Sequence, residues 1–132
     1  MKKTRILSLL LCLLIPSLAF TQNSRIRNAA ADRSWQQFYT TFRSAMNNRD
    51  RTALRRLMSS EAAFFSGGGG ETRDQWIQMI DESRAWRRLR RSVASGTVPY
   101  YEGGRPGRIT RDRTLIFQFV GGRWRFVGVM GD

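Results

Sequence analysis

The most concentrated chemistry in this chain is arginine. Arg87, Arg88, Arg90 and Arg91 fall within five consecutive positions, and a guanidinium fork holds the oxygens of a carboxylate or phosphate in pairs, as an ammonium cannot. If the segment is helical, Arg87, Arg90 and Arg91 gather on one side, away from Trp86, Leu89 and Val93. That side is either a solvated face or a site for an anionic surface or acidic ligand. Acid–base chemistry would fall to Asp74, Asp81, Glu82, Glu102 and Asp112 with Tyr39, Tyr100 and Tyr101. Each acid also has a structural reading. Asp74 opens a helix, where a carboxylate complements the dipole. Asp81 and Glu82 are placed to pair with Arg84, Arg87 and Arg88, while Glu102 and Asp112 lie in or beside loops. The sequence has no histidine, which removes catalytic triads and most zinc sites. The glycine run 67–70 precedes a helix start, where an anion can bind. It lacks the lysine and spacing of a P-loop and reads as a flexible turn. No catalytic residue, metal ligand or cofactor is assigned.

These side chains need elements to carry them. A helix starting near Asp32 or Ser34, either able to cap it, presents Trp35, Phe38, Tyr39, Phe42, Ala45 and Met46 as one apolar stripe. Asn47 and Asn48 end it. Asp50 caps a second, short helix with Ala53, Leu54, Leu57 and Met58, and turns Arg51, Arg55 and Arg56 outward. Residues 61–66 read as a short strand. Thr72 and Gln75 form a capping box for a helix whose buried stripe is Trp76, Met79 and Ile80. The arginine segment, 84–95, reads as a further helix that stops at Gly96.

The last third reads as sheet. Residues 97–101 form an edge strand, because Pro99 cannot donate to a ladder, and 102–107 form a glycine-proline loop. Two long strands flank Gly121-Gly122, a two-residue hairpin signal. That turn pairs Phe119 with Trp124 and Phe117 with Phe126. Leu115, Phe117, Phe119, Trp124, Phe126 and Met130 then share an apolar face. Ile116, Gln118, Val120, Arg123, Arg125, Val127 and Val129 share a mixed one, apolar enough to invite a partner or a second subunit.

The N-terminus combines Lys2, Lys3 and Arg5 with an apolar run over 6–15 and small residues at Ser17 and Ala19, the pattern of a secretory signal peptide cleaved after Ala19. The run is too short to span a bilayer. The expected organisation is a signal peptide over 1–19, a flexible lead-in over 20–31 and a single domain over 32–132, exported to the periplasm or secreted. Cys12, the one cysteine, leaves with the signal, so the core must hold the domain together without disulfides. The lysines leave too, and twenty arginines then face ten acids. Such a surface attracts anions, more weakly as salt rises. No nucleic-acid motif accompanies the charge, and the mature chain carries no transmembrane segment.

Helices first, a short strand, another helix, then a sheet closing in a long hairpin resembles the order of the nuclear transport factor 2-like superfamily, which includes SnoaL-like and ketosteroid-isomerase-like domains. The Trp35–Met46 stripe with its Asn-Asn-Arg-Asp-Arg break is similar to that family's paired opening helices. Phe64-Phe65-Ser66, the glycines and Thr72 are similar to its first strand and next helix. Phe117-Gln118-Phe119-Val120-Gly121-Gly122-Arg123-Trp124-Arg125-Phe126-Val127 is similar to its closing hairpin. The 84–95 helix departs from the family pattern, where strand is usual. The resemblance implies an α+β fold: a curved antiparallel sheet wrapped around the N-terminal helices as a cone-shaped roll. It implies a pocket whose wall would draw on Trp35, Tyr39, Phe42, Trp76, Tyr101, Phe117 and Phe119, and homodimers through the outer sheet face. Members include isomerases, dehydratases and cyclases as well as non-catalytic binding domains, so fold does not settle function. The leading expectation is a non-catalytic binding module for a small or anionic partner. The alternatives are a small-molecule isomerase, dehydratase or cyclase using an Asp/Tyr pair, and a binder of anionic envelope surfaces acting through Arg87, Arg88, Arg90 and Arg91.

Overall fold

The computed structural model describes residues 16–60, 64–66, 71–102 and 104–130. The 1–15 part of the expected signal peptide, the 61–63 part of the expected first strand and the glycine run 67–70 lie outside the described residues. The fold is α+β, with helices α1 (Pro16–Asn48), α2 (Arg51–Leu57), α3 (Arg73–Glu82) and α4 (Trp86–Ala94) and strands β1 (Phe65–Ser66), β2 (Thr97–Glu102), β3 (Arg105–Thr110), β4 (Leu115–Val120) and β5 (Arg123–Val129). The chain divides into two units, Met1–Arg33 and Ser34–Asp132. In the first, the backbone is helical from Pro16 onward. The second holds the remainder of α1 and every other element.

The α1 backbone is helical on both sides of Asp32 and Ser34, which corrects the expected helix start at either residue. No glycine or proline interrupts residues 17–48, and Ala29-Ala30-Ala31 favours helix, so the helix runs through Asp32 and Ser34 and neither is called on to start it. The α2 and α3 starts follow their sequence signals. The Asp50 carboxylate accepts from Ala53 N at 2.9 Å. Thr72 Oγ1 accepts from Gln75 N at 3.3 Å, while Gln75 Oε1 accepts from Thr72 N at 2.8 Å. On α3, Ile77 is buried and Met79 is 40 % exposed, correcting the expected Trp76–Met79–Ile80 stripe. The arginine segment is helical, with Trp86, Leu89, Ser92 and Val93 inward.

Four strands, in the order β5-β4-β3-β2, make an antiparallel sheet, and the two-residue β1 adds in parallel to β5. The hairpin turn at Gly121 and Gly122, with φ of 59° and 78°, sets the pairs Phe119–Trp124 and Phe117–Phe126. The expected glycine-proline loop over 102–107 is corrected at 105–107, the first half of β3. This stretch is strand because Gly107 lets three backbones close up: a Cβ there would lie 2.7 Å from the Phe117 carbonyl oxygen and 3.2 Å from that of Tyr100. β2 is the edge strand that Pro99 requires.

Between Phe117–Phe126 and Ile116–Gly128 the register slips. The extra residue, Val127, reverses the facing of everything beyond it on β5. Val129 therefore packs toward the main core and Met130 is 37 % exposed, the opposite of the expected assignment. On the outer face Ile109, Ile116 and Val127 form a second cluster flanked by Tyr100. Its centre is already buried in the single chain, so covering it does not require a second subunit.

Candidate functional site

Two places merit chemical reading: the aromatic core and the arginine helix. In the core, Trp35, Tyr39 and Phe42 descend one side of α1 and meet Phe117, Phe126 and Trp76. Trp35 stacks on Tyr39 at 4.9 Å between ring centroids, Phe42 meets Phe117 edge-on at 5.0 Å, and Trp76 meets Phe126 at 5.2 Å. Five of the seven expected pocket-lining residues thus belong to one core cluster: Trp35, Tyr39, Phe42 and Phe117 pack on one another, and Trp76 joins them through Phe126. Phe119 is half-buried against Trp124 at the hairpin end. Tyr101 is 75 % exposed, because it sits near the end of an edge strand opposite exposed Pro106.

Asp112 is the acid whose charge acts on Tyr39, and each of the two is committed elsewhere. The Tyr39 hydroxyl donates to the Val93 carbonyl at 2.6 Å, closing the last turn of α4. Burial, with the Asp112 charge adding to it against Arg43, pushes its pKa up to about 12. Asp112 Oδ1 accepts from Thr110 Oγ1 at 2.6 Å, Ser92 Oγ at 2.8 Å and Thr114 N at 3.2 Å. Burial raises the Asp112 pKa, and these hydrogen bonds together outweigh it, leaving the carboxyl below its usual value. A tyrosine driven up and a carboxylate driven down move away from the neutral range that proton transfer needs. The cluster is a brace between α4 and the β3–β4 turn, in which Thr110 Oγ1 also accepts from Leu115 N at 3.0 Å.

The acids expected to neutralise α4 are elsewhere. Asp81 pairs with Arg51 and accepts from the Trp86 indole at 2.6 Å. Glu82 accepts from Gln78, and Asp74 pairs with Arg55 at 2.6 Å. This corrects the expected pairing of Asp81 and Glu82 with Arg84, Arg87 and Arg88. A groove of about 760 Å³ between α2 and α3 is therefore lined by charges that already satisfy one another.

The second groove differs. It encloses about 930 Å³, and all four expected anion-binding residues, Arg87, Arg88, Arg90 and Arg91, line it together with Arg49 and Arg84. Its carboxylate, Asp81, is the one already held by Arg51 and Trp86. Among the described residues, no carboxylate pairs with Arg49, Arg84, Arg87, Arg90 or Arg91. The helix carrying this charge works against itself. Its N-cap is Ala85, which offers no side-chain acceptor, and its first turn has no acid. Arg87 and Arg88 instead place positive charge at the positive end of the dipole. Arg87/Arg91, Arg87/Arg90 and Arg88/Arg91 stand at helical neighbour spacing, each such like-charge pair costing about 0.2–0.5 kcal/mol. What holds α4 in place is its other face: buried Trp86, Leu89 and Val93, the Ser92–Asp112 bond and the Tyr39 anchor.

Arg49 and Arg84 were not among the expected site residues. Their sequence signal lies in the junctions Asn48-Arg49-Asp50 and Ser83-Arg84-Ala85, where one helix stops and another starts without a glycine. No family model, curated protein or solved structure matches the chain.

Proposed function

We propose that this chain is a non-catalytic binding module whose working surface is the arginine groove and whose partner is anionic. The observation that carries the reading is the gathering of six arginines from three places, the end of α1, the α3–α4 turn and α4 itself, around one concavity whose carboxylate is already neutralised. A groove of this size is within the range of small-ligand sites. The charge repulsion along α4 gives the fold nothing, and a bound anion would offset it. Local rules broken without structural benefit mark functional surfaces more often than scaffolds.

The wider reading belongs to the same proposal. The element order supports a place among the nuclear transport factor 2-like domains, with a cone that would here be filled by aromatic rings. Residues 1–19 support export. The enzyme alternative has less behind it, since Tyr39 and Asp112 are bonded to the scaffold and tuned away from neutrality. Among the described residues, no helix is long and apolar enough to cross a membrane.

The test separates the groove from bulk charge. One variant carries Arg87→Gln, Arg88→Gln, Arg90→Gln and Arg91→Gln. A control carries Arg43→Gln, Arg56→Gln, Arg105→Gln and Arg123→Gln, removing the same charge from exposed positions outside the groove. On phosphocellulose the groove variant elutes at distinctly lower salt than the control. Elution of the two together would refute the reading.

A further inference from the structure

Arg49 and Arg84 share more than a groove. Each occupies the left-handed position of a Schellman cap, with φ of 54° and 57°. At the end of α1, Asp50 N donates to Ala45 O at 2.8 Å and Arg49 N to Met46 O at 3.4 Å; at the end of α3, Ala85 N donates to Ile80 O at 3.1 Å and Arg84 N to Asp81 O at 3.4 Å. Glycine is the usual occupant of this position, because a Cβ in the left-handed region crowds the following carbonyl. The cap hydrogen bonds are made by backbone and need no arginine. Arg113, in the β3–β4 turn, is also left-handed at φ 60° but does not line the groove. Strain alone is therefore not the signal. The signal is that two separate helix ends aim the same unfavourable residue type into one concavity, facing the four arginines of α4.

We infer that Arg49 and Arg84 contact the ligand, and that the groove takes a compact, soluble chain of phosphate groups. This rests on the binding reading above. A carboxylate has two coplanar oxygens and suits one or two forks, whereas a phosphate presents oxygens in several directions. Six guanidiniums arriving from a helix, a turn and a second helix end match acceptors spread in three dimensions and spaced along a short chain. A membrane-bound source fits less well. Among the described residues, the exposed large apolar side chains, Met79, Val98, Tyr101, Val120 and Met130, do not line the groove, so its lining offers charge without the exposed apolar anchor that a bilayer surface takes up.

The probe is sodium tripolyphosphate, titrated calorimetrically into the full chain, with citrate as the polycarboxylate and phosphatidylglycerol vesicles as the lipid arm. Tripolyphosphate is expected to bind at least about tenfold more tightly than citrate, and to compete the chain off the vesicles. Arg49→Gly and Arg84→Gly each raise the melting temperature by a few degrees through backbone relief. Each also weakens tripolyphosphate binding about tenfold, the loss of one charge-assisted contact. Arg113→Gly, which relieves the same conformation and removes the same charge, raises the melting temperature and leaves binding unchanged. Equal affinity for citrate, or retention on vesicles that tripolyphosphate cannot displace, overturns the ligand class. Unchanged binding in both Arg49→Gly and Arg84→Gly overturns their role. If the Arg87/Arg88/Arg90/Arg91 variant still loses phosphocellulose retention relative to its control, the binding reading survives that failure. If it does not, both fall.

Discussion

Tyr39 illustrates what one polar atom demands of a core. Its ring stacks on Trp35, and a buried hydroxyl left without an acceptor costs more than the hydrogen bond itself gives. The Val93 carbonyl supplies the acceptor, so an α1 side chain comes to anchor the end of α4. Because the folded-state pKa is raised, from 10.0 to about 12, the neutral phenol favours the folded chain. That contribution is complete below pH 10 and is lost as pH rises from about 10 to about 12. Tyr39→Phe is expected to cost roughly 1 kcal/mol near neutrality. In chemical denaturation followed against pH, the wild-type advantage shrinks across that alkaline window and is gone before its upper end. A gap that stayed constant to pH 12 would contradict the assignment of the shift to this hydroxyl.

Among the elements, α4 and β3 are the instructive pair. The inward face of α4 could be read from the spacing of Trp86, Leu89 and Val93, because helical period is a local property. β3 could not, because Arg105-Pro106-Gly107-Arg108 carries breakers where a strand should carry branched side chains. Only the neighbouring strands explain it, since Gly107 is the residue that admits the Phe117 and Tyr100 carbonyls. Gly107→Ala should therefore destabilise by about 1–3 kcal/mol, the range for overpacking against atoms that cannot swing aside, read as a lowered urea midpoint. A substitution within error of wild type would mean that β2, β3 and β4 are less tightly paired than their register implies. The Val127 slip belongs with β3. Alternation predicted the partners near the Gly121-Gly122 turn and failed past the bulge, where one inserted residue exchanged the roles of Val129 and Met130.

For the molecule as a whole, the governing quantity is charge: 23 basic against 10 acidic residues. Such an excess opposes compaction, and an unbroken aromatic core is what opposes it in turn. The export reading makes its own prediction. Expressed with its native N-terminus in a bacterium that processes secretory signals, the chain should be recovered outside the cytoplasm with Phe20 as its first residue, as N-terminal sequencing would show. Recovery from the cytoplasm starting at Met1 would reject it.

By themselves, the residues determined whatever depends on neighbours in the chain: the capping box at Thr72, the cap at Asp50, the inward face of α4, the glycine hairpin and the arginine cluster. Tertiary structure decided whatever depends on distant segments meeting. It sent Asp74 and Asp81 to the arginines of α2 rather than to those of α4, turned Tyr101 out to solvent, and brought Arg49 and Arg84 to the same groove as Arg87, Arg88, Arg90 and Arg91. The physical reason is one of range. Caps, turns and helical faces are set by hydrogen bonds spanning a few residues, whereas an acid chooses its arginine only after packing of the core has fixed which helices lie side by side.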